Sequence, residues 1–199
     1  MSKQPDLGED LDVKVREKGK GDNDEYVFKV CVVGEPAVGK TSLLRKFVKN
    51  QFETKHIQTV GVDISKQPMD IQIDGKKIPV ILLFWDLAGQ VVFHLLHKVY
   101  LNGAYGIILA VDLTRPDTLE KVAGWHHIVC KHGFADVPMI LAGTKADLKK
   151  ERAVTPAQIK AMQEKLKIPD YIETSSLENK NLLELFDLMA RKIYKNVVK

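Results

Sequence analysis

The stretch GEPAVGKTS, residues 34–42, carries the densest chemistry in the chain. It fits the phosphate-binding pattern Gly-x-x-x-x-Gly-Lys-Ser/Thr and follows the apolar run YVFKVCVV. In a strand-to-helix turn of this kind, backbone N–H groups point inward at phosphate oxygens, aided by the helix N-terminus. Gly34 and Gly39 take backbone conformations that other residues resist. Lys40 would lie against the outer phosphates as a point charge, and the Thr41 hydroxyl would be offered to a magnesium ion. Glu35, Pro36, Ala37, Val38 and Ser42 complete the candidate cradle.

Three further segments bear on which nucleotide it holds. WDLAGQ puts Asp86 at the end of an apolar strand, where it can hold magnesium through water. Gly89 and Gln90 follow, and the Gly89 N–H can meet a third phosphate. GTKAD follows the strand VPMIL. The Asp147 carboxylate can accept from N1–H and the exocyclic amine of guanine. Adenine has no donor at N1 and would leave it desolvated and unpaired. Thr144, Lys145 and Leu148 flank that carboxylate. ETSS, with Ser175 and Ser176 followed by Leu177, can offer a backbone N–H to the guanine carbonyl.

With these motifs in this order and at this spacing, the chain from about Tyr26 onward resembles the Ras-like small GTPases, nearest the Rab and Ras branches. TVGVD adds a further matching segment. The resemblance implies a P-loop NTPase fold, a small G-protein domain of the α/β class. Its mixed, mostly parallel sheet has six strands and five flanking helices. By position it implies that Lys40 binds the outer phosphates and that Thr41 and Thr59 ligate magnesium, Thr59 only in the GTP state. Asp86 supports the metal through water, and Gly89 and Gln90 serve hydrolysis, Gln90 by orienting the attacking water. Phe52 packs against the base, Lys145 covers it and Asp147 reads its edge. Switch I is the loop around Thr59, and switch II runs from Gly89 to about Leu101. The implied partners are GTP and GDP, effectors, an exchange factor and an activating protein. QFETKHIQT contains no arginine to act in cis, so slow intrinsic turnover is expected. Two alternatives stay open: a nucleotide-locked binding module with negligible turnover, and an ATP-using phosphate-loop enzyme.

Several positions depart from the family pattern. Pro36 supplies no N–H and stands where many relatives have glycine. Val91 and Val92 replace a common Glu-Arg pair and make switch II apolar. Thr144 stands where asparagine is frequent, and Ser176-Leu177 replaces Ala-Lys. RKIYKNVVK has no cysteine for a prenyl group. The expectation is therefore a cytoplasmic protein without an intrinsic lipid anchor that meets membranes only through a partner, unless the chain continues past residue 199.

The elements that must position these residues are legible as alternating patterns. YVFKVCVVG is a β-branched run of the kind buried on both faces. KTSLLRKFVKN carries Leu43, Leu44, Phe47 and Val48 on one helical stripe. QFETKHIQT reads as a polar loop, and residues 60–86 read as a hairpin turning at Asp74-Gly75. A loop passing into a helix follows, then the strand YGIILAVD, a helix over RPDTLEKVAGWHHIVCKH and the strand VPMILAG. A helix capped by Thr155 with Pro156 at its first position comes next, then the short strand YIETSS and the amphipathic helix NLLELFDLMARKIYKNV. This alternation specifies one α/β domain over 26–199. Residues 1–25 are rich in charge and glycine and are expected to form a disordered arm.

The 199 residues allow one sizeable core. A net charge of +4, with acidic and basic residues alternating and no strongly basic block, does not mark a nucleic-acid binder, and none is expected as a partner; a weak affinity for anionic surfaces stays open. Cys31 reads as a buried thiol, and two cysteines make no disulfide framework. His94, His97, His126 and His127 read as solvated helix faces. Cys130 near His132 is a weak nucleophile signal, because sequence proximity does not give a base its geometry. Trp85 reads as core packing.

Overall fold

The computed structural model describes residues 25–49, 57–59, 62–87 and 100–198. The first strand, β1 (Tyr26–Val33), has six consecutive buried residues at its end. Its side chains alternate between two cores. Phe28, Val30 and Val32 enter one, and Cys31 and Val33 enter the other. A strand between two helical layers must be apolar on both faces, which is why its sequence shows no polar alternation.

Helix α1 (Lys40–Lys49) follows, and then β2 (Ile57–Thr59), β3 (Val62–Ile73) and β4 (Lys76–Leu87). Asp74 and Gly75 both have positive φ, 49° and 76°, and so close the β3–β4 hairpin with the primed turn that matches strand twist. Beyond it come β5 (Gly106–Asp112), α2 (Pro116–Val129), a π-helical turn at Cys130–Phe134 and β6 (Met139–Thr144). The chain ends with α3 (Pro156–Leu166), β7 (Tyr171–Glu173) and α4 (Leu182–Val197). The strand order is β2-β3-β4-β1-β5-β6-β7. The β2–β3 and β3–β4 pairs are antiparallel and the rest parallel.

This is the expected six-stranded mixed sheet with β2 added as a three-residue edge segment. QFETKHIQT was expected as loop throughout, but its last three residues pair with Val62–Ile64 of β3. So short a run carries no readable period, and the pairing partner specifies it. Four α-helices are present among the described residues, and the expected helix before Leu101 lies largely outside them. The helix expected to run to His132 changes at Cys130 into the π turn, which Gly133 ends at φ 91°.

One core gathers the α1 stripe Leu43, Leu44, Phe47 and Val48 with Phe84 of β4 and Phe186, Met189 and Ile193 of α4. Phe47, Phe84 and Phe186 form its centre, with centroids 4.1 Å apart for Phe47–Phe186 and 4.8 Å for Phe84–Phe186. Across the sheet, Leu119, Val122 and Val129 of α2 and Ile159 of α3 cover Ile107, Leu109 and Leu141. Trp85 packs there as expected. Its ring also lies 3.6 Å beneath the Lys29 ammonium, which donates to the Asn102 carbonyl at 2.7 Å.

The Thr155 side chain accepts from the Gln158 N–H, and Gln158 returns an acceptor to the Thr155 N–H at 2.8 Å. This reciprocal cap, with Pro156 behind it, starts α3 where the sequence placed it.

Candidate nucleotide site

The parallel strands β1, β5, β6 and β7 end on one edge of the sheet, where the chain leaves β1 for α1. In open α/β sheets such an edge, at a strand-order reversal, is where ligands bind. Here β1 lies between β4 and β5, so this is the reversal point.

Gly34 opens the loop with φ 148°, and a Cβ there would stand 2.4 Å from the Ala110 carbonyl oxygen of β5. No side chain fits, because the obstacle is backbone. Ala37 has φ 62°, a left-handed conformation costing a non-glycine residue about 1 kcal/mol. Nothing in the sequence foretold that. The Lys40 ammonium donates to the Gly34 and Glu35 carbonyls at 2.8 Å each, so the loop wraps its own cation. Val38 is buried, Pro36 exposed and Ser42 exposed on the first turn of α1.

The loop is tied down from two sides. From β6, the Thr144 hydroxyl donates to the Val38 carbonyl at 2.6 Å and lies 2.9 Å from the Val111 carbonyl. From α2, Lys121 and the Trp125 indole N–H both bond the Glu35 carboxylate, at 3.0 and 3.1 Å. The Arg115 guanidinium reaches the Pro36 carbonyl at 3.3 Å. The sequence reading missed these three α2-side partners, since no local pattern announces a contact spanning 79 to 90 residues.

Asp112 was missed as well, although a carboxylate ending an apolar strand is the same signal that marked Asp86. It is fully buried. Thr114 donates to it from both backbone and hydroxyl, at 2.9 and 2.7 Å, and the Lys145 ammonium pairs with it at 2.6 Å. Burial alone would raise the pKa of this carboxyl; Lys145 and Thr114 outweigh burial and hold it below its ordinary value. Lys145 is thereby pinned by its tip, with φ 59° at its backbone.

Beyond Lys145, the Ser175 hydroxyl donates to the Asp147 carboxylate at 2.5 Å, joining the segment after β6 to the one after β7. The Ala146 N–H bonds the Thr174 carbonyl at 3.0 Å. Ser176 is half-buried, and Leu177 and Leu148 are exposed apolar side chains, at 78% and 37%. Thus Thr144 is bonded to the loop that precedes Lys40, Lys145 to Asp112 at the end of β5, and Asp147 to Ser175 after β7. Thr41 sits on the first turn of α1. Thr59 ends β2 opposite Val62, and Asp86 lies near the end of β4 opposite Asp63. Phe52, Gly89 and Gln90, and all of switch II before Tyr100, lie outside the described residues. So do His94, His97 and the charged arm up to residue 24.

Thr41, on the first turn of α1 next to Lys40, carries a hydroxyl oxygen of the kind a hard cation shared with phosphate takes. Among the described residues no group of three or more His, Cys, Asp or Glu forms a metal cage. Magnesium in phosphate sites is held by one or two protein oxygens, with water and phosphate completing its shell, so a hydroxyl at this place fits it.

Comparison with known proteins agrees with the geometry. The profile of the Ras family matches residues 29–195. Ras-related protein RABA5b of Arabidopsis thaliana is 36% identical over 181 residues, covering 90% of this chain and 81% of that protein. Ras-related protein Rab-19 of Homo sapiens is 36% identical over 172 residues, covering 86% of this chain and 77% of its own. A phosphate loop at the strand-order reversal, ringed by the segments after β5, β6 and β7, thus accompanies a match over nearly the whole domain, and the chain belongs to the Ras family of small GTP-binding proteins, nearest the Rab branch.

Proposed function

We propose that this protein is a guanine-nucleotide switch that binds GTP and GDP with magnesium and hydrolyses GTP slowly, its loops around Thr59 and from Gly89 to about Leu101 signalling its state. The observation that carries this reading is the convergence on one sheet edge of Lys40 in its loop, Lys145 pinned on Asp112 and Asp147 joined to Ser175. A carboxylate presented beside a phosphate loop matches the N1–H and amine of guanine and mismatches adenine.

In this reading, the loop N–H groups and Lys40 hold the β- and γ-phosphates. Thr41 and Thr59 would hold magnesium directly and Asp86 through water, and the ion would supply positive charge to the phosphates. Phe52 and the stem of Lys145 enclose the base, and Leu148 and Leu177 shield its rim. Gln90 orients a water that attacks the γ-phosphorus as the bond to the bridging oxygen breaks, giving GDP and phosphate. The third phosphate also engages Thr59 and the Gly89 N–H, so its loss releases both loops. Effectors, an exchange factor and an activating protein would read and reset that difference. Among the described residues no helix is long and apolar enough to cross a membrane.

The experiment is to purify the protein with magnesium, denature it and identify the released nucleotide by chromatography, then to follow single-turnover hydrolysis. About one equivalent of guanine nucleotide is expected, with slow conversion of GTP to GDP abolished by Gln90→Leu. Bound adenine nucleotide would overturn the base assignment. A turnover equal to buffer and unchanged by Gln90→Leu would leave a nucleotide-locked binding module instead.

A further inference from the structure

At the opposite edge of the sheet, where β6 and β7 begin, a cleft of about 630 Å³ opens between the end of α2, the end of α3 and the last turns of α4. That is within the usual size for a small-molecule site, roughly 300–1,000 Å³. Pro138, Met139 and Ile168 contribute apolar lining, and Lys167, Lys192 and Lys195 contribute basic lining. Lys192 is paired with Asp170, and Asp136 is the carboxylate residue among the lining.

Cys130 opens into this cleft from the π turn. Its Sγ lies 3.6 Å from His126 Nε2 and 3.9 Å from His126 Nδ1, one helical turn earlier. In the sequence, Cys130 has no placed base, near His132 or elsewhere, and His126 reads as part of a solvated face. The structure places a half-buried His126 beside the sulfur, because residues four apart share a helix face. Burial and the neighbouring His127 hold His126 below its ordinary imidazole pKa. A neutral imidazole carries one unprotonated ring nitrogen, which can accept from a thiol. The chain's other thiol, Cys31, is fully buried, donates to the Tyr100 carbonyl and is pushed up to about 12 by its burial.

We propose that Cys130 is a site of reversible S-thiolation by an anionic disulfide of the glutathione class, with His126 as the proton acceptor and the lysine-lined cleft as its docking site. In the step, His126 takes the thiol proton and the Cys130 thiolate attacks one sulfur of glutathione disulfide. The new S–S bond forms as the old one breaks. The second glutathione leaves as thiolate and recovers the proton. Cys130 is oxidised and the departing sulfur reduced, with no other oxidant needed. The cleft's mixed basic and apolar lining suits such a ligand, whose carboxylates can meet lysines while its backbone lies along apolar groups.

The test exposes the full chain to glutathione disulfide at neutral pH and follows each cysteine by peptide mass spectrometry, with N-acetylcysteine as the unassisted reference. Cys130 is expected to react at least about tenfold faster than the reference, with Cys31 untouched and a dithiol reversing the adduct. His126→Gln should return Cys130 to the reference rate. Lys167→Gln with Lys195→Gln should slow glutathione disulfide but not the neutral 2-hydroxyethyl disulfide. A wild-type Cys130 no faster than the reference, or a rate indifferent to His126→Gln in folded, nucleotide-retaining protein, overturns the proposal. Equal slowing of both disulfides by the lysine changes removes the anionic docking site.

Discussion

At the scale of single residues, the site depends on groups whose partners lie far away in the chain. Asp147 could be singled out from the sequence, because its carboxylate follows a buried strand and a carboxylate there can accept from the N1–H and amine of guanine but finds no N1 donor on adenine. Replacing it tests that chemistry: Asp147→Asn should weaken GTP binding by 100-fold or more, on the order of 3 kcal/mol for unpaired polar groups. The same variant should favour xanthosine triphosphate, whose carbonyl accepts from the new amide. Competitive titration reads both effects, and unchanged GTP affinity would refute the base contact. Glu35 was legible only as a loop member. Its carboxylate is held by Lys121 and Trp125 on the side of the loop facing α2. Removing the lysine leaves that negative charge less compensated near the phosphates. Lys121→Met should therefore quicken GDP release by about threefold at low salt, less at high salt. Adding Glu35→Gln should restore the slow release, because the uncompensated charge is then gone. A double variant that releases faster than Lys121→Met would show the pair to be structural only.

At the scale of elements, strands and helices with a sustained period were readable, and short or bent ones were not. The stripe of α1 and the reciprocal cap of α3 appear where the sequence placed them. The edge strand β2 and the π turn at Cys130 did not show, because one depends on a pairing partner and the other on an extra residue in the turn. Gly143 illustrates a third kind of hidden constraint. A Cβ at this position of β6 would stand 2.5 Å from the Tyr171 hydroxyl of β7 and 3.0 Å from Leu113 Cδ2. Tyr171 cannot simply swing away, since its hydroxyl donates to Glu173 at 2.9 Å. Gly143→Ala should thus cost about 2 kcal/mol, the usual penalty for overpacking. Tyr171→Phe in the same chain should recover part of it, since it removes the nearest atom and frees the ring. Thermal melting of the two single variants and the double checks this. Strict additivity would mean that Leu113, not Tyr171, is the obstacle.

At the scale of the whole molecule, the order of the motifs was enough to foresee the sheet, because each motif must follow a strand for its residues to meet at one edge. The ties that hold those loops were not foreseeable, since they are charge pairs closed by the fold. Two of them carry a signature in acid. Glu173 is gripped by both guanidinium nitrogens of Arg152, at 2.8 and 2.7 Å, which is the main reason its carboxyl titrates below its ordinary value. Asp112 is likewise depressed, its burial outweighed by Lys145 and Thr114. A carboxylate with a lowered folded-state pKa binds protons more weakly folded than unfolded. Its contribution is therefore complete above the unfolded value, near 4, and is lost as pH falls through the lowered folded value. Stability should hold through neutral pH and decline steeply below about pH 4. Glu173→Gln should be less stable at pH 7 by about 1 kcal/mol for this partly exposed bidentate pair, and the difference should shrink toward zero as acid protonates the wild-type carboxylate. Urea unfolding of both chains across that range provides the measurement. A gap that stayed constant down to pH 2 would mean that the Arg152 pair does not depend on the charge of Glu173.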